Sequence, residues 1–406
     1  MAYDTSAAAE LPPVTDWLND WDWLDPQWGP NAIEIWKGVR DTGCPMAMTE
    51  RYGRAHMPVT MQAVSEVAKN TTDFSSIWVS VSRPDAPRMP APPITSDQPE
   101  HRDHRRIILP AFSPKAIEPM EDDMRAYCQG LIADLDGKTD ADAAVNYAQH
   151  IPVHGICQIL GIPETDADLF RDWIYRNFQL APRDNAVRVQ LAEEMGAYFS
   201  DLLAERRKNP TDDLTSQVAH AQIDGKDVSD ELKIGYLRLQ IVAGIDTTWS
   251  AIASGLWHFG MNPSDRDRLA GVPFDDSLWG TATEEVLRYY SPVTMARKVL
   301  TDTEVAGCPV KAGDQMLLTF PAANHDPAAF ENPGEFQIDR LVNRHVAFGL
   351  GIHRCAGSNL ARLELLVALQ EWIKAFPNYT VDITKETEWA NGQVRGPRVL
   401  PVHLNR

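Results

Sequence analysis

The sequence predicts a mostly α-helical protein with small β-sheets, and three observations carry that prediction. Residues 231–258 contain no proline and many apolar side chains, enough for a helix of ~40 Å at about 1.5 Å per residue. Amphipathic stretches follow one another over residues 117–217, broken at Gly161-Ile162-Pro163, Ala181-Pro182 and Asn209-Pro210. Strand signals are short, the clearest being a pair within residues 44–60 about the turn Glu50-Arg51-Tyr52-Gly53.

Composition narrows the class. The chain has 406 residues, 44% of them hydrophobic and 23% charged, enough to bury a large core. Its net charge, 38 minus 57 or −19, argues against nucleic acids and anionic membranes as partners. The five cysteines are scattered and odd in number, as expected of reduced thiols in a cytoplasmic protein without disulfides. The N-terminus, with an acidic, Trp-rich run over residues 17–28, has neither the basic nor the apolar region of a targeting sequence, and no stretch of ~20 apolar residues suggests a membrane anchor.

In chain order, residues 31–43 read as a helix, 44–60 as the strand pair and 61–70 as a second helix. Five prolines then punctuate residues 82–93, around Arg83 and Arg88, and no regular pattern survives. From Asp97 a helix begins with Pro99 in its first turn, and His101 and Arg105, four apart, share a face. The long helix is interrupted by Ala243-Gly244-Ile245-Asp246-Thr247-Thr248, a helix-weakening cluster that on its own fits a packing glycine beside a surface aspartate. Glu285 and Arg288 stand one helical turn apart, by themselves an ordinary surface pair. Last comes Phe348-Gly-Leu-Gly-Ile-His353-Arg-Cys355-Ala-Gly357, whose glycines permit sharp turns beside something flat, followed by an apolar helix. Cys355 sits at that helix start, where unpaired N–H groups and the helix dipole favour a thiolate.

This decapeptide matches the Phe-Gly-x-Gly-x-His-x-Cys-x-Gly signature and resembles the cytochrome P450 family of haem-thiolate monooxygenases. The resemblance runs over residues 31–404 and implies the family's fold: one catalytic domain over residues 31–406 after an N-terminal extension 1–30, with haem b between the long central helix and the Cys-loop helix. It implies Cys355 as the proximal iron ligand, with Phe348, Gly349, His353 and Gly357 shaping the haem loop. By the same match His101, Arg105 and Arg297 hold the propionates, Thr247 hydrogen-bonds bound dioxygen and Asp246 relays protons to it. Glu285-x-x-Arg288 resembles a buried ion-pair network completed by Arg340 from a later meander, where Gln337 stands in place of the commoner Asp. Leu239, Val242, Ala243, Val293, Thr294, Met295 and Val394 then line the substrate pocket, capped by the loop over residues 82–93 and a lid near residues 178–188.

The implied function is insertion of one oxygen atom from O2 into a small hydrophobic substrate, by a cytoplasmic monomer fed by a separate ferredoxin and reductase. A haem sensor or carrier without turnover, or a peroxide-driven variant, is the alternative; the intact Asp246-Thr247 pair argues against both. Docking an acidic ferredoxin on a chain of charge −19 calls for a local basic patch, drawn from Arg102, Arg106, Arg344, Arg354 and Arg362.

Overall fold

The computed structural model describes residues 12–83 and 86–405; the first eleven residues, two positions of the proline-rich loop and the last residue lie outside the described residues. Helix α1 (Trp28–Asp41) starts three residues earlier than the spacing predicts. The reason is aromatic packing: Trp28 is buried and meets Trp36 edge-on at 5.5 Å, and Trp21 and Trp23 are buried in the same cluster. The described part of the expected extension therefore packs onto the domain.

Strands β1 (Met46–Thr49) and β2 (Ala55–Pro58) pair antiparallel about the expected turn, with Met46 opposite Pro58. Helix α2 (Met61–Lys69) is capped by Thr60, whose hydroxyl accepts from the Ala63 N–H at 3.2 Å. After β3 (Phe74–Ser75) the proline-rich loop leads to α3 (Glu100–Ile108), which carries His101 and Arg105. In the middle of the chain α4 (Ile151–Leu160) ends on Gly161 in the left-handed conformation, φ 64°, and α5 (Asn185–Lys208) stops one residue before Asn209-Pro210. Both breaks fall where the sequence places them.

The central helix α6 (Asp230–Met261) is 32 residues long and is capped by Ser229. It packs against α4, against α7 (Ser277–Tyr290) and against the Cys-loop helix α8 (Ser358–Ala375). Gly244 lets α4 approach closely, since a Cβ there would lie 2.4 Å from Ile156 Cδ1. Strands β4 (Met295–Val299) and β5 (Gln315–Leu318) complete a five-stranded sheet in the order β1-β2-β5-β4-β3, in which β5 runs parallel to β2. This sheet joins residues 46–58 to residues 295–318, so the first and last thirds of the chain share one core. Among the described residues no helix is long and apolar enough to cross a membrane, and all five cysteines are free.

Candidate active site

A cavity of about 420 Å³ lies between α6 and the loop that precedes α8. The loop is folded back on itself by the Cys355 N–H, which donates to the Phe348 carbonyl at 2.8 Å. Gly349 and Gly351 take φ of 72° and 68°, and a Cβ on Gly351 would stand 2.8 Å from the Ala68 carbonyl oxygen. Gly357 needs no such freedom, with φ −82°; it borders the cavity and its N–H donates to the Cys355 sulfur. Phe348, Gly349, His353, Cys355 and Gly357 all line the cavity. Cys355 is exposed to the cavity; the protein packed around the loop desolvates its thiol and raises the pKa, opposed by the Gly357 N–H and by Arg105, Arg354 and Arg362.

Four basic side chains converge beside this loop. The ring centroids of His101 and His353 are 4.3 Å apart, and His353 Nε2 lies 2.8 Å from Ser76 Oγ. Burial, aided by Arg297, His101 and Arg105, lowers the His353 pKa to about 2, and burial with Arg105 lowers that of His101 to about 4. Arg297 is 4% exposed, donates to the Ala296 carbonyl at 2.7 Å and pairs with no carboxylate among the described residues. Arg105 donates to the Arg354 carbonyl and lines both the cavity and a neighbouring surface pocket, where His101 lies behind it. The buried Nε2 of His101 has no hydrogen-bond partner. A cluster of this kind, offset electrostatically by Asp97 and, at Arg105, by Cys355, fits a bound polyanion such as a pair of carboxylates.

On the opposite wall, Leu239, Val242, Ala243 and Thr247 from α6 face the cavity, with Val293, Met295 and Val394. Thr294 is the exception to the expected pocket: in an extended segment its neighbours face the cavity while it turns away, buried, with its N–H and hydroxyl both on the Gln393 carbonyl. Thr247 donates its hydroxyl to the Ala243 carbonyl at 2.8 Å, which leaves the oxygen lone pairs free to accept. Asp246 points the other way, 1% exposed, and is clamped by both carboxylate oxygens at 2.9 Å to Arg398. Burial raises the Asp246 pKa against the opposing pull of Arg398. Arg398, four residues after Val394 in the C-terminal turn, is a residue that the sequence did not single out. That turn docks so tightly on α6 that a Cβ on Gly396 would meet Ser250 Cβ at 2.5 Å.

A second missed group is Glu364 of α8, 1% exposed, lining the cavity with both carboxyl oxygens unpartnered by well-formed hydrogen bonds. It fits because position 155 is glycine, where a Cβ would come within 2.2 Å of Glu364 Oε1. Burial pushes its pKa well above the usual carboxylate range, only partly offset by Thr248. The folded protein thus keeps a proton that the unfolded chain releases. Stability from this group is complete below the usual Glu pKa and is lost as pH rises toward the folded value, by up to about 1.4 kcal/mol per pH unit. Between pH 6 and pH 9 the urea midpoint of the wild type should fall more than that of Glu364→Gln; equal declines would show that Glu364 is ionised in the fold.

The ion-pair network lies beneath the loop. Arg288 makes two bonds of 2.8 Å to Glu285, and Arg340 Nε lies 3.1 Å from Glu285 Oε2. Gln337, which departs from the family's residue, contributes only its backbone N–H to Glu285 Oε1, at 2.8 Å. Of the expected basic patch, Arg102 and Arg106 are 74% and 73% exposed and Arg344 and Arg354 are exposed. Arg362 drops out: it is bonded to Glu284 at 2.6 and 2.9 Å and covers the Phe348 ring.

A long helix crossing a cavity opposite a cysteine loop, in a mostly helical molecule with a mixed sheet, is the arrangement that the resemblance to haem-thiolate enzymes implies. The family description "Cytochrome P450" matches residues 281–392. The polyketide biosynthesis cytochrome P450 PksS of Bacillus subtilis is 32% identical over 77% of this chain and 78% of its own length, and its solved structure superposes with a TM-score of 0.85 over 95% of this chain and 100% of that one. The methyl-branched lipid omega-hydroxylase of Mycobacterium bovis is 33% identical over 82% of this chain and 79% of its own. A Bacillus megaterium P450 solved with testosterone is 29% identical, with a TM-score of 0.84 over 93% of this chain and 98% of that one. This chain belongs to the cytochrome P450 family. It is a monooxygenase whose cofactor is haem, iron protoporphyrin IX held through a cysteine thiolate.

Proposed function

We propose that this enzyme hydroxylates or epoxidises a hydrophobic organic substrate, with Cys355 as the iron ligand and electrons from a separate ferredoxin and its reductase. The single observation that carries the assignment is that Cys355, alone among the cysteines of the described residues, lines the same cavity as Thr247. His101, Arg105, Arg297 and His353 would hold the haem propionates, a role supported by their mutual lack of carboxylate partners. When bound, the haem supplies the reductive activation of O2 and the transfer of one oxygen atom to the substrate.

The chain's own residues exclude water, orient the substrate and move protons. The apolar wall of Leu239, Val242, Ala243, Val293, Met295 and Val394 desolvates the substrate. Thr247, with its hydroxyl already donated to Ala243, accepts and passes on a proton at Oγ1. Asp246 would supply that proton by leaving Arg398, which holds it away from the cavity at rest. Thr247→Ala should therefore leave haem and substrate binding intact while diverting reducing equivalents from product to hydrogen peroxide. Unchanged coupling of electron use to product would remove Thr247 from this role.

Ferredoxin docking fits the face carrying Arg102, Arg106 and Arg354, beside α3 and the cysteine loop. Arg106→Glu should slow reduction by the ferredoxin at low salt and leave dithionite reduction alone, because exposed charges are screened beyond ~10 Å at 0.1 M salt. Reduction insensitive to both salt and this reversal would place docking elsewhere.

A further inference from the structure

The chain has 57 acidic and 38 basic residues, yet the cavity wall inverts that balance, with five arginines, no lysine, no aspartate and one glutamate among its described residues. Arg105 and Arg297 belong to the cluster beside the cysteine loop, and Glu364 lies near Thr248. The other three arginines line the far side: Arg88 on the proline-rich loop, Arg188 on α5 and Arg238 on the first half of α6.

Arg238 carries the weight. It is half-buried, donates to the Pro90 carbonyl at 2.6 Å and meets Met89 Sδ at 3.6 Å, but pairs with no carboxylate among the described residues. Burial lowers its pKa, against an opposing pull from Glu231. A guanidinium has five N–H donors in a fork that matches a carboxylate, and withdrawing one from water without an anion is costly. Arg88 stands at the rim, 4.0 Å over the Trp78 ring, with one bond of 3.3 Å to Ser82 Oγ. Arg188 is tied to the Ala181 carbonyl at 3.0 Å and adds no weight.

We propose that the substrate is an apolar molecule ending in a carboxylate, received by Arg238 with Arg88 at the entrance, its hydrocarbon body running along α6 toward Thr247. This rests on the monooxygenase reading above and names the substrate class for it. Arg238 and Thr247 are nine residues apart, ~13 Å along the helix axis. Nine residues are two and a half turns, so the two side chains leave opposite sides of α6, and at about 1.2 Å per bond the axial rise sets a minimum of about eleven bonds for a chain spanning them. Straight-chain acids of at least that length meet this minimum.

The test uses the ferric holoprotein, titrated with dodecanoic acid and with its methyl ester at neutral pH. Binding is followed by calorimetry as well as by haem spin state, so that a ligand bound without a spin change still registers. The acid should bind about tenfold or more tightly than the ester, as a charge-assisted bidentate contact warrants. Arg238→Gln should erase that preference with ester affinity unchanged, and Arg238→Lys, which keeps the charge, should retain part of it. The proposal is overturned if acid and ester bind alike, if neither binds, or if the preference survives Arg238→Gln. In the last case Arg238 only fastens the loop through Pro90. The red-shifted ferrous carbonyl band, recorded on every sample, separates these outcomes from failure of the haem-thiolate reading itself, which would remove the band in the wild type.

Discussion

Cys355→Ala should abolish the red-shifted absorption of the ferrous carbonyl complex and all monooxygenase activity. The shift arises from an anionic sulfur ligand, so it reports the ligand and not merely bound haem. No other thiol can substitute. Cys128 and Cys157 are buried among core side chains with their pKa values pushed up to about 12, and neither they nor Cys44 and Cys308 line the cavity. The variant should still fold, because Cys355 packs no core and its structural contribution is the backbone bond to Phe348, which alanine keeps. Haem held only by the basic cluster would give an unshifted carbonyl spectrum. A wild-type-like band in Cys355→Ala would sink the ligand assignment.

What the sequence made legible was whatever depends on local periodicity or on a contiguous motif. The limits of α6, the breaks at Gly161 and Asn209 and the cysteine loop all follow from short-range signals, and each lies within a few residues of its expected place. Side-chain direction across long separations was not legible. Arg398 reaches Asp246 over 152 positions, and Glu364 meets Gly155 only because two helices cross there. Charge was misleading in the same way: Arg362 counts as basic in the sequence, but Glu284, 78 positions earlier, neutralises it. Thr294 shows the smallest such error: the match put it at the pocket between Val293 and Met295, but not on the face it takes. The early start of α1 was hidden because tertiary packing of Trp28 on Trp36, not a capping signal, sets it.

Glu285→Ala should be the most destabilising single substitution in the chain. Glu285 and Arg288 are both fully buried, and the side chain of Arg340 is 7% exposed. Glu285 accepts from Arg288, Arg340, Asn343 and the Gln337 N–H. Arg288 also donates to the carbonyls of Asn324, Pro333 and Glu335 at 2.8 to 2.9 Å, tying α7 to the meander that leads into the cysteine loop. Removing the carboxylate leaves two guanidiniums facing one another in a dry interior. Breaking a buried pair from one side costs ~3–5 kcal/mol, a large share of a typical total stability of 5–15 kcal/mol. Arg288→Ala should come next, since Glu285 keeps Arg340 but the Asn324 and Pro333 carbonyls lose their donor, while Glu335 keeps Arg340. Arg340→Ala should cost least, because the bidentate Glu285–Arg288 pair survives it. Urea midpoints of the holoproteins, with the yield of haem-loaded protein beside them, rank the three. A cost below about 1 kcal/mol for Glu285→Ala, the range of an exposed pair, would mean that the network is solvated and that the loop is positioned by other contacts.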